Sequence, residues 1–250
     1  MKALILAAGY GTRLAAVAKD TPKPMLTVAG KGLIDHVVER LRAAQGVTEI
    51  VVVTNNKFYG HFTRWAKTYL SGGQAHEGMP IRVVNDGTNT PEDRLGSVGD
   101  INFVWKQEKE QDDWLIIGGD NLFDQGLDAF FVFARLRSPA MTIGLYDIGD
   151  IKAAVKFGVC GLDAQKKVTL FQEKSPNPVS SLISMCVYYF PCQTLSYIDE
   201  YRAQSGALDA AGSYIQWLVE KKSVYGFQFA GKWYDIGSIE SLKEAQEHFK

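Results

Sequence analysis

The chain has 250 residues, 46% hydrophobic and 22% charged, and its 27 basic residues nearly cancel its 28 acidic ones. That balance excludes disordered and fibrous classes, and it lacks the strongly basic surface with which nucleic-acid binders neutralise phosphates. The three cysteines, Cys160, Cys186 and Cys192, are an odd set without CxxC spacing, which argues against a disulfide framework or zinc ribbon and for a reducing compartment.

Lys2 to Ala8 is a near-continuous apolar run of the kind buried on both faces of a parallel sheet. It is too short for a signal segment, and no window of about 18 apolar residues follows, so a cytoplasmic protein without a membrane span is expected. Leu33, Ile34, Val37, Val38 and Leu41 recur at helical spacing, Gly46 supplies a stop, and Glu49 to Thr54 reads as the second strand. Phe58, Phe62, Trp65, Ala66, Tyr69 and Leu70 mark another helix, with Trp65, Tyr69 and the later Trp217 assigned to core packing. Ile81 to Val84 and Asp113 to Ile117 are the third and fourth strands. Strand and helix thus alternate, which predicts an α/β fold with a mostly parallel central sheet and a ligand crevice at the carboxyl ends of its strands.

Beyond about Asp147 the strands shorten, to Gly158–Leu162, Val168–Glu173 and Ser184–Phe190. Helices follow around Leu195, Ile198 and Tyr201, around Tyr214, Ile215, Trp217 and Leu218, and after Ser238. No Pro/Gly/Ser-rich linker separates the halves, so one domain is expected, with a nucleotide-binding half over about 1–147 and an acceptor-binding half over about 148–250.

Two motifs carry chemistry. Leu6 to Leu14 (LAAGYGTRL) follows the first strand, and Gly9 and Gly11 let the backbone curl and turn its N–H groups toward an anion. The segment is neither a Walker A loop nor a dinucleotide fingerprint, and Arg13 adds a fixed cationic fork. Thr21 to Leu26 (TPKPML) sets Lys23 between two prolines that restrain the backbone on either side.

Together these segments resemble the sugar-nucleotide-forming nucleotidylyltransferases, the family of glucose-1-phosphate thymidylyltransferase and uridylyltransferase. Gly119 to Asn121 (GDN), Glu173 to Pro176 (EKSP, one residue longer than the family's EKP) and Trp233 to Gly237 (WYDIG) extend the likeness along nearly the whole chain. It implies a Rossmann-like three-layer sandwich with a smaller acceptor-binding lobe. It also implies Mg²⁺ held by Asp120 and Asp235, and nucleotide contacts from Leu6, Ala8, Gly9, Gly11 and Thr12. Arg13 would face the triphosphate, Lys23 would bridge the transferring phosphate and the acceptor phosphate, and Lys174, beside Glu173, would hold the acceptor phosphate. No nucleophilic side chain is required, because an acceptor phosphate is already anionic and positioning with charge neutralisation suffices. Hard Mg²⁺ takes a few carboxylate oxygens and leaves its other positions to phosphates and water. Asp124, Asp128 and Asp150 read as caps or turn formers instead. His36, His61, His76 and His248 lack metal-ligand spacing, and no GxSxG is present.

Val84 to Ile101 occupies the family's base-reading place, with Asn85 and Gly96 as candidates, although plain turn formation explains the same residues. Members selecting dTTP or UTP commonly carry Gln where Asn85 aligns, so a pyrimidine nucleotide is expected and CTP stays open. Cys186 stands where hexose-binding members have Gly, a side chain that narrows the acceptor pocket. The family's acceptor-side Arg has no counterpart in Asp209 to Leu218, for which Lys156, close to Gly158, is the candidate substitute. The first expectation is an NTP:sugar-1-phosphate nucleotidylyltransferase. The second is a cytidylyltransferase acting on a smaller phosphate or phosphonate such as phosphocholine or a polyol phosphate. A non-enzymatic regulatory homologue fits less well, since Arg13, Lys23, Asp120 and Asp235 are retained. Small-molecule partners are expected, with no nucleic acid and no membrane, and a homo-oligomer is left open.

Overall fold

The computed structural model describes residues 1–14, 20–71, 79–108, 112–205 and 210–249. In chain order its elements are β1 (Lys2–Leu6), β2 (Thr27–Val28), β3 (Lys31–Gly32), α1 (Leu33–Ala43), β4 (Glu49–Thr54), α2 (Asn56–Ser71), β5 (Ile81–Asn85), α3 (Gly96–Trp105), β6 (Trp114–Gly118), β7 (Asn121–Phe123) and α4 (Asp128–Arg135). The remainder is β8 (Met141–Asp147), β9 (Gly158–Leu162), β10 (Val168–Glu173), β11 (Leu182–Phe190), α5 (Tyr197–Ser205), α6 (Ala211–Lys221), β12 (Val224–Gln228), β13 (Trp233–Asp235) and α7 (Ile239–His248). Single helical turns lie at Thr12–Leu14, Lys23–Met25, Ala153–Lys156 and Cys192–Leu195.

The chain forms two compact units, one of Met1–Leu95, Ile117–Gly126 and Gly231–Lys250, the other of Gly96–Ile116 and Leu127–Ala230. In the first, β1 pairs parallel with β4 and β4 with β5, in register from Lys2↔Glu49 and Ile50↔Ile81. The interior of β1 and almost all of β4 are buried, as expected of strands covered on both faces. The first strand ends at Leu6 rather than Ala8, although Ala7 still donates to the Val53 carbonyl at 2.9 Å.

A smaller apolar cluster in this unit joins Val28, Leu33, Leu122, Ile236, Leu242, Ala245 and Phe249, with Leu26 and Tyr234 packed against it. These residues come from the segment after Lys23, from α1, from the antiparallel pair β7–β13, and from α7. Full burial of each large member contributes about 1.5–3 kcal/mol, enough to fix two strands of only three residues each, which would not persist alone. Ser238 caps α7 by accepting from the Ser241 amide at 3.2 Å.

In the second unit β11 pairs antiparallel with β8 and with β9, β9 with β10, and β12 lies parallel to β8. The helix α3 is buried at Val98, Gly99, Asp100, Ile101, Asn102 and Val104, on more than one face. It therefore carries no apolar stripe for the sequence to announce. No helix among the described residues is long and apolar enough to cross a membrane.

Trp65, Tyr69 and Trp217, assigned to core packing, pack against other rings at the edge of the core and are half-buried. Trp65 Nε1 and Tyr69 OH donate to Asp35 at 2.8 and 2.6 Å, and Trp217 Nε1 donates to Gln204 at 3.0 Å. Their ring bodies pack while their polar ends keep partners. Burial, then the bond to Asp35, raises the Tyr69 hydroxyl pKa, so it stays a neutral donor.

Candidate active site

The first unit gathers four motifs that are far apart in sequence. Gly119 donates its amide to the Leu6 carbonyl at 2.9 Å. A Cβ there would lie 3.0 Å from that carbonyl oxygen and 3.2 Å from Pro24 Cγ, so the close approach of three segments excludes a side chain. The end of β1, the PKP turn and the GDN turn thus meet at one glycine.

Next to it, the Lys23 ammonium forms an ion pair with Asp120, at side-chain exposures of 19% and 37%. The fourth motif arrives through β13, which pairs antiparallel with β7 in the register Trp233↔Phe123, Tyr234↔Leu122 and Asp235↔Asn121. Asp235 therefore pairs with the residue next to Asp120, and both aspartates lie at the same end of the strand pair. Trp233 Nε1 donates to Asn121 Oδ1 at 2.6 Å and locks this register. Asp124, expected to cap or form a local turn, instead accepts the amide of Lys232 from 108 residues away at 2.8 Å, joining the segments that flank the strand pair.

The glycine-rich loop is held from two sides. Gly11 adopts φ +63°, the left-handed conformation that its residue type allows. The fully buried Asn55 donates to the Ala8 carbonyl at 2.8 Å and accepts from the Phe58 amide at 3.0 Å, capping α2 with the same side chain. Tyr10 OH donates to Thr88 Oγ1 at 3.1 Å, and Thr88 donates in turn to the buried Asp86. Gly9 and Thr12 are exposed in this loop, Leu6 is half-buried and Ala8 buried. The Arg13 side chain lies outside what is described, and so does His76.

Asn85 closes β5, but its carboxamide is partly occupied: Nδ2 donates to Asn56 at 2.9 Å and Oδ1 accepts the Gly87 amide at 2.9 Å. That second bond is an Asx turn, the conformation Asn forms readily. Gly96 lies in the other unit, at the first residue of α3, with φ +76°.

The remaining candidates all sit in the second unit, gathered by β9, β10 and β11. Gly158 opens β9 opposite Glu173, and the Lys174 amide donates to the Phe157 carbonyl at 3.0 Å. Lys174 adopts φ +47° and its ammonium stands 3.5 Å from Glu173 Oε1. Lys156 is exposed at the end of its helical turn. The Glu173 carboxylate rests against Gly212 in the first turn of α6, where a Cβ would fall 1.8 Å from Oε2. Gln216 of the same helix accepts the Glu173 amide at 3.1 Å. Helix α6 therefore seats Glu173 rather than offering a cation.

Cys186 takes φ +55° within β11, where pairing with β8 shifts register between Ser184 and Tyr188. An L side chain there is strained by about 1–2 kcal/mol, while glycine at the same position loses about 0.5–1 kcal/mol in chain entropy. Cys186→Gly is expected to raise the melting temperature by roughly 1–3 °C, and a lower melting temperature in differential scanning calorimetry would contradict the strain.

Sequence reasoning missed Asn55, Thr88, Gly212 and the Trp233–Asn121 bond. Only Asn55 left a signal, an Asn directly before a helix.

Compared with known proteins, residues 2–250 match the profile of the nucleotidyl transferase family. The chain belongs to that family. A solved Bacillus anthracis protein, assigned as a glucose-1-phosphate thymidylyltransferase and bound to sucrose, is 22% identical with a TM-score of 0.81, over 99% of this chain and 94% of the other. A UDP-glucose pyrophosphorylase, solved with UDP-glucose and without it, is 20% identical with a TM-score of 0.82 in both cases, over 99% of this chain and 97% of the other. These likenesses bear out the α/β fold with its mostly parallel central sheet.

Proposed function

We propose that this nucleotidyl transferase joins a nucleoside triphosphate, a pyrimidine one, to a sugar 1-phosphate, giving a nucleoside diphosphate sugar and pyrophosphate in a Mg²⁺-dependent reaction. The observation that carries the reading is the β7–β13 register, which sets Asp235 one register position from Asp120, itself ion-paired with the Lys23 ammonium.

The donor set fits Mg²⁺. It is two carboxylates with no soft ligand, and among the described residues no group of three or more His, Cys, Asp or Glu is arranged for a metal. A cation that keeps positions for phosphate oxygens and water needs no more protein ligands than this. Asp120 and Asp235 would hold it, and when bound it offsets charge on the phosphates.

The other roles belong to the chain itself. Backbone amides of Gly9 to Thr12 cradle the triphosphate with Arg13, and Leu6 and Ala8 line the nucleotide. Lys23 neutralises the α-phosphate. An acceptor phosphate oxygen forms the new bond to the α-phosphorus while the bond to the β-phosphate oxygen breaks and its electron pair leaves with pyrophosphate. Lys174 and Lys156 hold the acceptor phosphate, with Glu173 seated by α6, and Asn85 and Gly96 read the base.

A second reading, a cytidylyltransferase for a smaller phosphate or phosphonate, draws on the Cys186 side chain at a position that favours glycine and on the short, partly engaged Asn85 amide. Pyrophosphate release from each of the four NTPs, with Mg²⁺ and a panel of sugar and non-sugar phosphates, separates them. Activity confined to CTP with a non-sugar acceptor would select the second, and no release with any pair would sink both.

A further inference from the structure

We propose that a crevice at the N-terminal ends of β8 and β12 is a second ligand site, which takes a small phosphate-bearing anion. The crevice lies within the second unit and encloses about 380 Å³, within the size range of small-molecule sites. Arg137, Met141, Tyr197, Lys222, Ser223 and Tyr225 line it, and no carboxylate does.

Its chemistry is cationic and aromatic. The Arg137 guanidinium carbon stands 3.4 Å over the Phe133 ring and 5.4 Å from the Tyr225 ring centroid. Of the five donors of that group, one goes to the Phe133 carbonyl at 3.1 Å, and no carboxylate pairs with it among the described residues. The residue is half-buried, and its contact with the two rings removes part of the water around the charge, a cost that a counter-ion offsets. Packing alone explains the stacking but not the choice of a permanent charge, since an apolar chain fills the same space without that cost. The Lys222 ammonium lies 3.9 Å over the Tyr197 ring, and its partner Glu200, at 3.6 Å, is half exposed and displaceable. A planar fork and a point charge on residues that line one crevice are the complement of a phosphate group.

The crevice is separate from the acceptor residues. It opens at Met141 and Val224, which face each other across β8 and β12. Ser184, two residues from Cys186, pairs with Leu145, so the acceptor strands meet β8 about 13 Å further along it.

The test is calorimetric titration of the full chain with inorganic phosphate, glycerol 3-phosphate and, as the phosphate-free control, glycerol. Arg137→Gln, which keeps a polar chain without the charge, and Lys222→Met are each expected to weaken phosphate binding at one site at least tenfold. Lys23→Met is expected to leave that site unchanged. Saturation by glycerol 3-phosphate more tightly than by inorganic phosphate would assign an ester as the ligand, and the reverse order free phosphate; both support the site. Binding unaffected by Arg137→Gln and Lys222→Met, no phosphate binding at all, or equal binding of glycerol would each overturn the proposal. Circular dichroism checks that the variants fold, and Lys222, on the surface at the end of α6, decides the matter if Arg137→Gln does not.

Discussion

Asp120→Asn and Asp235→Asn are each expected to lower turnover at least about a hundredfold while leaving the fold intact. Each replacement removes a negative charge from a strand end where the two aspartates lie one register position apart, and a hard divalent cation loses one of its few protein ligands. The charge stabilisation such a cation provides amounts to several kcal/mol, and each 1.4 kcal/mol is about tenfold in rate. Asn keeps the shape of Asp and its hydrogen-bonding reach, so the exposed Asp235 is expected to cost less than about 0.5 kcal/mol of stability. Pyrophosphate release measured across a Mg²⁺ titration checks this, and a full Mg²⁺-dependent rate in either variant would sink the metal assignment.

Lys23→Met carries the second large effect, and it acts in two directions. The ammonium that pairs with Asp120 is the same one assigned to the α-phosphate, so turnover is expected to fall at least about a hundredfold. Without nucleotide the same ammonium competes with any cation for Asp120. Its removal is therefore expected to tighten divalent-cation binding to the nucleotide-free protein severalfold, as the loss of a like charge a few ångströms away requires. A lysine that served only to steady the PKP turn would lower stability without shifting cation affinity. Titration with Mn²⁺ followed by its paramagnetic relaxation reads the difference.

What the sequence revealed divides along physical lines. Strands β1, β4, β5 and β6 were legible because each is a compact apolar run between breakers, and α1 and α2 because each keeps one apolar face. Helix α3 was not, since buried Asp100 and Asn102 interrupt its apolar pattern and its faces lack contrast. The three-residue strands β7 and β13 are too short to carry a period, and their pairing depends on Leu122 and Ile236 sharing a cluster with α7. In the site, residue types that do chemistry by themselves, such as Lys23 and Asp120, stood out. Residues that act by position did not: Gly119 and Gly212 matter for the space they leave, Asn55 for two bonds in different directions, and Trp233 for a partner 112 residues away. The base-reading candidates lie between these cases, because an Asn that closes an Asx turn and an Asn that reads an edge are the same letters.

The β7–β13 pair also sets a timetable. Its two strands are tied by bonds that span 108 and 112 residues, so the paired carboxylates come into being only after the chain has travelled out through the second unit and returned. Long closures of this kind are slow to form relative to local structure. During synthesis the glycine-rich loop, Lys23 and Asp120 emerge early, yet they await residues 231–249 before a second carboxylate joins them. On the proposed roles, the growing polypeptide holds most of its phosphate-facing groups well before both aspartates are present, and divalent-cation affinity is expected only once residues 231–249 have joined the first unit.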